Sequence, residues 1–333
     1  MSNLEYAPIA ELLGQVQWAS EVFNCQAPDV PNAAGLLPYV DAYQRERFLL
    51  PLLEGEVRSA FAMTEPAVAS SDARNIATRI ERAGSEYVIT GRKWYISGAG
   101  HPECDFLVTV GVTDPDSPPH RRHSIVLVPM DSPGLTIERD NSFLGYTRDG
   151  AELQFDEVRV PVENLLGEQG GGFTMGQVRL GPARLQHCMR LVGACEAMIQ
   201  LMRHRSESRT MFGKTLSEYD GAQHAIARSR VEVDQARLLL LEVAWLLDTA
   251  GVKAALQKLS IAKVAVSEMA MRVADRAVQI FGAKGLSEDT PIARWYAFAR
   301  VFLIADGPTE THLRQIHRLE AAPDLDLPPF LER

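Results

Sequence analysis

The sequence predicts an α+β protein, mostly α, and three changes of pattern along the chain carry that prediction. Residues 1–58 look helical and turn-rich, residues 59–165 break into short β-rich runs between turns, and residues 166–333 keep a helical period nearly to the end. In the first stretch "NLEYAPIAELLG" and "LPYVDAYQRERFLLPLLEG" are the helical pieces. In the second, "SAFAM", "ATRIE", "EYVIT", "KWYIS", "DFLVTVGV", "HSIVLVPM", "LTIER" and "ELQFDEVRV" predict a small antiparallel sandwich or barrel. In the third, after "GEQGGGF", heptad spacing of Ile226, Val233, Leu240 and Leu247, and of Leu259, Val266, Val273 and Ile280, predicts long amphipathic helices in an antiparallel bundle. The tail over 322–333 reads as a peripheral arm.

A chain of 333 residues, 46% hydrophobic and 23% charged, is large enough for two or three packed layers or domains. Its net charge of −9 and lack of a dense basic run argue against a nucleic-acid partner, because phosphate binding needs clustered Lys and Arg. Cys25, Cys104, Cys188 and Cys195 form no CxxC pair, so neither a zinc ribbon nor a redox dithiol is expected. His312 and His317, five apart, face different sides of a helix and make no metal pair. The opening residues lack the basic and apolar regions of a signal peptide, and the most apolar stretch, "ARLLLLEVAWLLDTAG", is interrupted by Glu242 and Asp248. No membrane span is expected, and these features point to the cytoplasm or an organelle matrix.

Gly170, Gly171, Gly172 and Gly176 do not have GxGxxG spacing and read as a flexible link into the bundle. Four other segments carry polar chemistry. "FAMTEPAVASSD" offers backbone N–H and hydroxyl donors suited to a polar ring or a phosphate. "GRKWYISGAG" sets an aromatic pair beside Ser97, suited to a flat ring. In "RTMFGKTLSEYDGAQ", Arg209 could offer a guanidinium to a pyrophosphate and Phe212 a ring to an adenine. Finally, "VFLIADGPTETHL" puts Asp306 at the end of an apolar helix, as a turn residue bonding nearby N–H groups or as a carboxylate kept for chemistry.

The order of these segments resembles the acyl-CoA dehydrogenase family from about residue 1 to 320. The matching motifs are "FAMTEP", "KWYISGAG", "FDEVRVPVENLLGEQGGGF", "GPARLQHCMRLVG", "RTMFGKTLSE", "AVQIFGAKGLSEDTPIARWYAFAR" and "LIADGPTE". The chain is most similar to the branch that animals fuse to a phosphotransferase-like domain. The resemblance implies a flavoprotein of fatty acid metabolism with a partial N-terminal helical domain (1–58), a middle β domain (59–165) and a C-terminal four-helix bundle (166–333). FAD would lie between the β domain and the bundle and reach a neighbouring subunit of a homodimer or homotetramer. Met63 and Thr64 fall where the family's loop meets the flavin, and Tyr95, Ile96 and Ser97 on its aromatic segment. Arg209, Phe212, Gln279 and Gly282 fall on the adenine side, with Thr309 and Glu310 in the flavin shell. Ser71 matches a serine near pyrophosphate and CoA, and Arg184 an arginine lining the acyl-CoA channel.

Asp306 falls on the family's usual catalytic glutamate. The implied reaction is FAD-dependent α,β-dehydrogenation of an acyl-CoA, with Asp306 abstracting the α-proton, flavin N5 accepting the β-hydride, and an electron-transfer flavoprotein as acceptor. Alternatives are an oxidase of the same fold, since an Asp base also occurs in the nitroalkane oxidase branch, or a catalytically impaired flavin- or partner-binding remnant. The departures are Asp for Glu, Pro308 for Thr, Glu310 for Gln, Asp220 for Gln, a shortened "LGYTRDGAELQF" connection and a shortened N-terminal helical domain.

Overall fold

The structure, a computed structural model, describes residues 1–144 and 146–321; the arm expected at 322–333 lies outside them. The chain is α+β and mostly helical, with a curled sheet and a helical C-terminal part. It divides into two compact units, one of Val16–Ala183 and one joining Met1–Gln15 to the chain from Arg184 onward.

The first helix, α1 (Asn3–Gly14), starts with a capping box in which the Ser2 hydroxyl accepts from Glu5 N–H. The sheet-containing unit follows with α2 (Ala19–Val22), α3 (Asp29–Leu36), α4 (Ala42–Gln44) and α5 (Leu50–Glu54). Its strands are β1 (Arg58–Ala62), β2 (Arg79–Ala83), β3 (Glu86–Ile96), β4 (Cys104–Val112), β5 (His123–Pro129), β6 (Leu135–Phe143) and β7 (Tyr146–Pro161). They form one sheet in the order β1-β4-β2-β3-β7-β6, with β5 on β4.

The sheet is not purely antiparallel as expected. β1 runs parallel to β4, and β2 takes over at the end of β4 in the same sense, with Val112 N–H donating to Thr78 O (2.7 Å). Hydrophobic alternation reports which face of a strand is buried, not its direction. Both faces of β4 and β5 are buried. Leu107, Val126 and Val128 enter one core with Ile89 and Phe155, while Phe106, Val108, Ile125 and Leu127 enter another with Leu36, Phe48 and Leu52. This two-sided burial explains the unbroken apolar runs "DFLVTVGV" and "HSIVLVP".

The helical unit is built from α6 (Gly172–Ser208), whose first turns belong to the other unit, a hairpin of β8 (Thr210–Met211) and β9 (Lys214–Thr215), α7 (Asp220–Phe281), α8 (Ile292–Phe302) and α9 (Thr309–Glu320). α7 is broken at Gly251, where φ is +78°. Its two arms run antiparallel: Glu242 pairs with Lys258 (3.1 Å) near the break, and Glu232 pairs with Arg272 (3.3 Å) and Arg276 (2.9 Å) further out. Val233, Leu240, Leu247, Leu259, Val266 and Val273 are buried on the seam, and Ile226 and Ile280 are partly buried at its outer end.

α1 packs directly on α6. A Cβ on Gly14 would collide with the Arg190 backbone, and one on Gly193 with the Glu11 carbonyl, so two glycines let the helices touch. Arg237 binds Glu11 (2.8 Å) and Glu196 (3.1 Å), and the Asp248 carboxylate accepts from Asn3 N–H (2.9 Å) and Leu4 N–H (2.8 Å). Among the described residues no helix is long and apolar enough to cross a membrane.

Candidate active site

α8 ends at Phe302, and the chain then turns through Asp306 and Gly307 at φ +56° and +101°. Asp tolerates this left-handed region better than most residues. At Gly307 a Cβ would also press on His312 Nε2 at 3.0 Å. The turn's backbone is held from three helices. Arg184 Nε of α6 donates to the Asp306 carbonyl (3.0 Å), which also lies 3.2 Å from His312 Nε2 of α9. Ser267 Oγ of α7 donates to the Phe302 carbonyl (3.3 Å), as does Lys263 Nζ. Thr309 N–H closes the loop on Leu303 O (3.1 Å).

The carboxylate of Asp306 is treated differently from its backbone. Its Oδ2 is buried and makes no hydrogen bond, while His187 Nε2 lies 3.5 Å away. The His187 ring packs on Phe302 at 4.6 Å between centroids. Burial lowers the proton affinity of Arg184 and of Lys263, and Asp306 works in the opposite direction on both. Burial, helped by the charges of Arg184 and Lys263, holds His312 down to about 4, so its ring is neutral at pH 7 and Nε2–H is the donor to the carbonyl. Burial pushes the neighbouring Cys188 thiol up to about 12. A carboxylate on a pinned backbone, with one buried oxygen lacking a hydrogen bond, is a candidate proton acceptor.

Sequence reasoning singled out Arg184 and Asp306 here but not His187, Lys263 or the contact of His312 with the turn. The available signal was the spacing in "GPARLQHCMRLVG", where Arg184, His187 and Cys188 stand three and four residues apart and share one face of α6.

In the other unit, Met63 and Thr64 follow β1. Trp94 N–H donates to Thr64 O (3.0 Å) and Thr64 Oγ1 to Trp94 O (2.5 Å), so residues 63–64 and 95–97 lie on adjoining strand ends. The β3 register shifts between Lys93 and Ile96, and Tyr95 (φ +49°) turns outward. Ser97 is exposed like Tyr95, whereas the Ile96 side chain is in the core. Beneath them lies a buried ion pair that sequence reasoning missed. Lys93 Nζ donates to Glu65 Oε1 (2.8 Å) and to the carbonyls of Met63 (2.9 Å) and Val110 (2.8 Å). Glu65 also accepts from Ala77 N–H (2.8 Å), Thr78 N–H (2.9 Å) and Thr78 Oγ1 (2.6 Å). Burial draws Lys93 down to about 8, against the pull of Glu65. Ser71 is exposed on the loop that follows Glu65.

Phe212 is the tip of the β8–β9 hairpin, 91% exposed, and with Gly213 has positive φ, the pattern of a type I′ turn. Arg209 is exposed at its base; Gln279 is exposed in the last turn of α7, and Gly282 (φ +62°) ends that helix. Thr309 and Glu310 begin α9, three and four residues after Asp306, and Glu310 is exposed. Among the described residues no cluster of three or more His, Cys, Asp or Glu is placed to hold a metal ion.

Comparison with known proteins bears on the same regions. The family profile described as acyl-CoA dehydrogenase, middle domain, matches residues 60–158, and that described as acyl-CoA dehydrogenase, C-terminal domain, matches residues 170–320. The chain is 50% identical to FadE2 of Mycobacterium tuberculosis over 96% of its own length and 79% of that protein. It is 48% identical to acyl-CoA dehydrogenase family member 10 of Mus musculus over 96% of its own length but spans only 30% of that longer protein. A solved Mycobacterium abscessus structure assigned to the acyl-CoA dehydrogenases superposes with a TM-score of 0.93 at 46% identity, covering 96% of this chain and 79% of that one. With half its residues shared across most of FadE2, and with both domain profiles matched in order, the chain belongs to the acyl-CoA dehydrogenase family.

Proposed function

We propose that this protein catalyses the α,β-dehydrogenation of an acyl-CoA thioester and that Asp306 is the base that takes the α-proton. The observation that supports this most is the Asp306 carboxylate, held on a pinned backbone with Oδ2 buried and unbonded. FAD is the cofactor the family implies, and the strand ends at 63–64 and 95–97 fit a flavin: a Thr and a Ser hydroxyl beside the ring of Tyr95 offer polar and aromatic faces together. When bound, FAD would accept the hydride leaving the β-carbon and pass the electrons to an electron-transfer flavoprotein. Met63, Thr64, Tyr95, Ile96 and Ser97 would hold the flavin ring. Asp306 becomes a carboxylic acid as the α-proton transfers. Ser71 and the remaining N–H groups of Arg184 would contact the acyl-CoA.

A Phe that is 91% exposed on a hairpin tip suits a role between copies of the chain, and Arg209, Phe212, Gln279 and Gly282 would complete the adenine side of a second copy's FAD in a homo-oligomer.

The test is anaerobic titration of FAD-loaded protein with acyl-CoAs of graded chain length. Bleaching of the oxidised flavin spectrum by at least one of them is expected, with fast reoxidation by electron-transfer flavoprotein and slow reoxidation by oxygen. Failure to bind FAD, or no bleaching across the series, would overturn the reading. Oxygen as the fast acceptor would make the protein an oxidase instead.

A further inference from the structure

We propose that His187 is the positioning partner of Asp306, fixing which carboxylate oxygen stays inside the protein and which one meets the substrate. The inference rests on the reading of Asp306 as the base. Arg184 and His312 hold only the carbonyl of Asp306, which leaves the side chain free to rotate about its own bonds. His187 Nε2 is 3.5 Å from Oδ2, at the edge of hydrogen-bonding distance, and the carboxylate keeps 17% exposure for its outward side. Catalytic contacts are often long before substrate binds and tighten afterwards. The imidazole is itself seated: its ring lies on Phe302, whose carbonyl is held by Lys263 and Ser267. Donation from His187 Nε2 to Oδ2 supplies the buried oxygen with a partner and presents Oδ1 to the α-proton. No covalent or redox change at His187 is involved.

The groups that face this pair come from three helices: Arg184 and Cys188 on α6, Lys263 on α7 and His312 on α9. Arg184 stays charged at any working pH. His312, held down to about 4, and Cys188, pushed up to about 12, do not change charge across ~5–8, where imidazoles ordinarily titrate. Lys263 is the remaining titratable neighbour, and replacing His187 alone separates its contribution.

The experiment compares wild type, His187→Phe, His187→Gln and Asp306→Asn as FAD-loaded proteins. Rates of flavin reduction are followed anaerobically against pH with an acyl-CoA that bleaches the wild type, and histidine-ring ¹⁵N signals are followed against pH without substrate. His187→Phe keeps an aromatic ring on Phe302 but has no donor, and its reduction rate should fall roughly 10–100-fold, as for loss of an orienting partner, with half-saturating acyl-CoA unchanged. His187→Gln restores a side-chain N–H donor and should recover most of the rate while flattening the wild-type pH profile across ~5–8, where imidazoles ordinarily titrate. In the spectra, Asp306→Asn should shift the His187 titration to lower pH, because its anionic neighbour is gone. If His187→Phe matches the wild-type rate and pH profile while Asp306→Asn is inactive, the positioning role is wrong and the base stands. If Asp306→Asn reduces its flavin at the wild-type rate, the base reading itself fails. A His187 titration indifferent to Asp306→Asn overturns the pairing whatever the rates.

Discussion

The two units each hold a carboxylate with a buried oxygen near a side-chain nitrogen, and the two are built in opposite ways. Glu65 is fully provided for: Lys93, two backbone N–H groups and the Thr78 hydroxyl all donate to it. Asp306 has its carbonyl bonded and its Oδ2 left without a hydrogen bond, with His187 Nε2 at 3.5 Å. A buried polar atom in a native protein is nearly always paired, so an exception calls for an explanation. The satisfied carboxylate clamps the loop after β1 to β3 and to the segment that leads into β2, and removing its partner should unfold something. The unsatisfied one contributes little to stability, and removing it should stop something.

The comparison would break at once if Asp306→Asn behaved like a structural variant. Its flavin reduction should fall by ~10²–10⁴-fold, the usual worth of a general base, while the melting temperature stays level or rises. Stopped-flow spectroscopy and calorimetry on one preparation check both halves. The mirror experiment is Lys93→Met, which strands Glu65 in the interior. Breaking a buried pair from one side costs about 3–5 kcal/mol, read as a lower denaturation midpoint.

These two sites also mark the limit of what the sequence shows. The seam of α7 was legible because a period of seven residues survives any tertiary context, and both arms bury those positions. α1 was legible for the same kind of reason, with "NLEYAPIAELLG" forming Asn3–Gly14. Asp306 stood out because an acid after five largely apolar residues is locally odd. His187 did not, since its contact with Asp306 joins α6 to a turn 119 positions later and no local spacing encodes that (306 − 187). Lys93 and Glu65 were hidden by an ordinary assumption: charged residues are taken as solvated, and the motifs that contain them were read for their rings and hydroxyls. The parallel pairing of β1 with β4 was invisible because burial pattern carries no strand direction.

A smaller effect sharpens the contrast. Thr78→Ala removes one of several donors to Glu65 without stranding a whole charge, and should cost about 1.5–3 kcal/mol, less than Lys93→Met. The mildest test is pH. Burial pushes Glu65 upward, but Lys93 and the surrounding donors outweigh it and hold the carboxyl below its ordinary value of 4.5. Its stabilisation is therefore complete above about 4.5 and is lost as pH falls through the lower folded value. Wild type should lose stability on acidification more steeply than Glu65→Gln, and chemical denaturation between pH 3 and 6 would show the slopes; equal slopes would remove Glu65 from the account.

The seating of α1 has a consequence for how the chain is made. Asn3 finds its partner Asp248 245 positions later, after the whole of Val16–Ala183 and most of the first arm of α7 have been synthesised. At ~5–20 residues per second, that is a wait of about 12–50 s between the emergence of α1 and the arrival of the residue that caps it. Until Arg190 and Gly193 are made α1 has no α6 to cross, and for the whole interval it has no Asp248 at its start. The sheet-containing unit is complete in the chain first, so α1 waits for its partners while the residues of that unit are already all present.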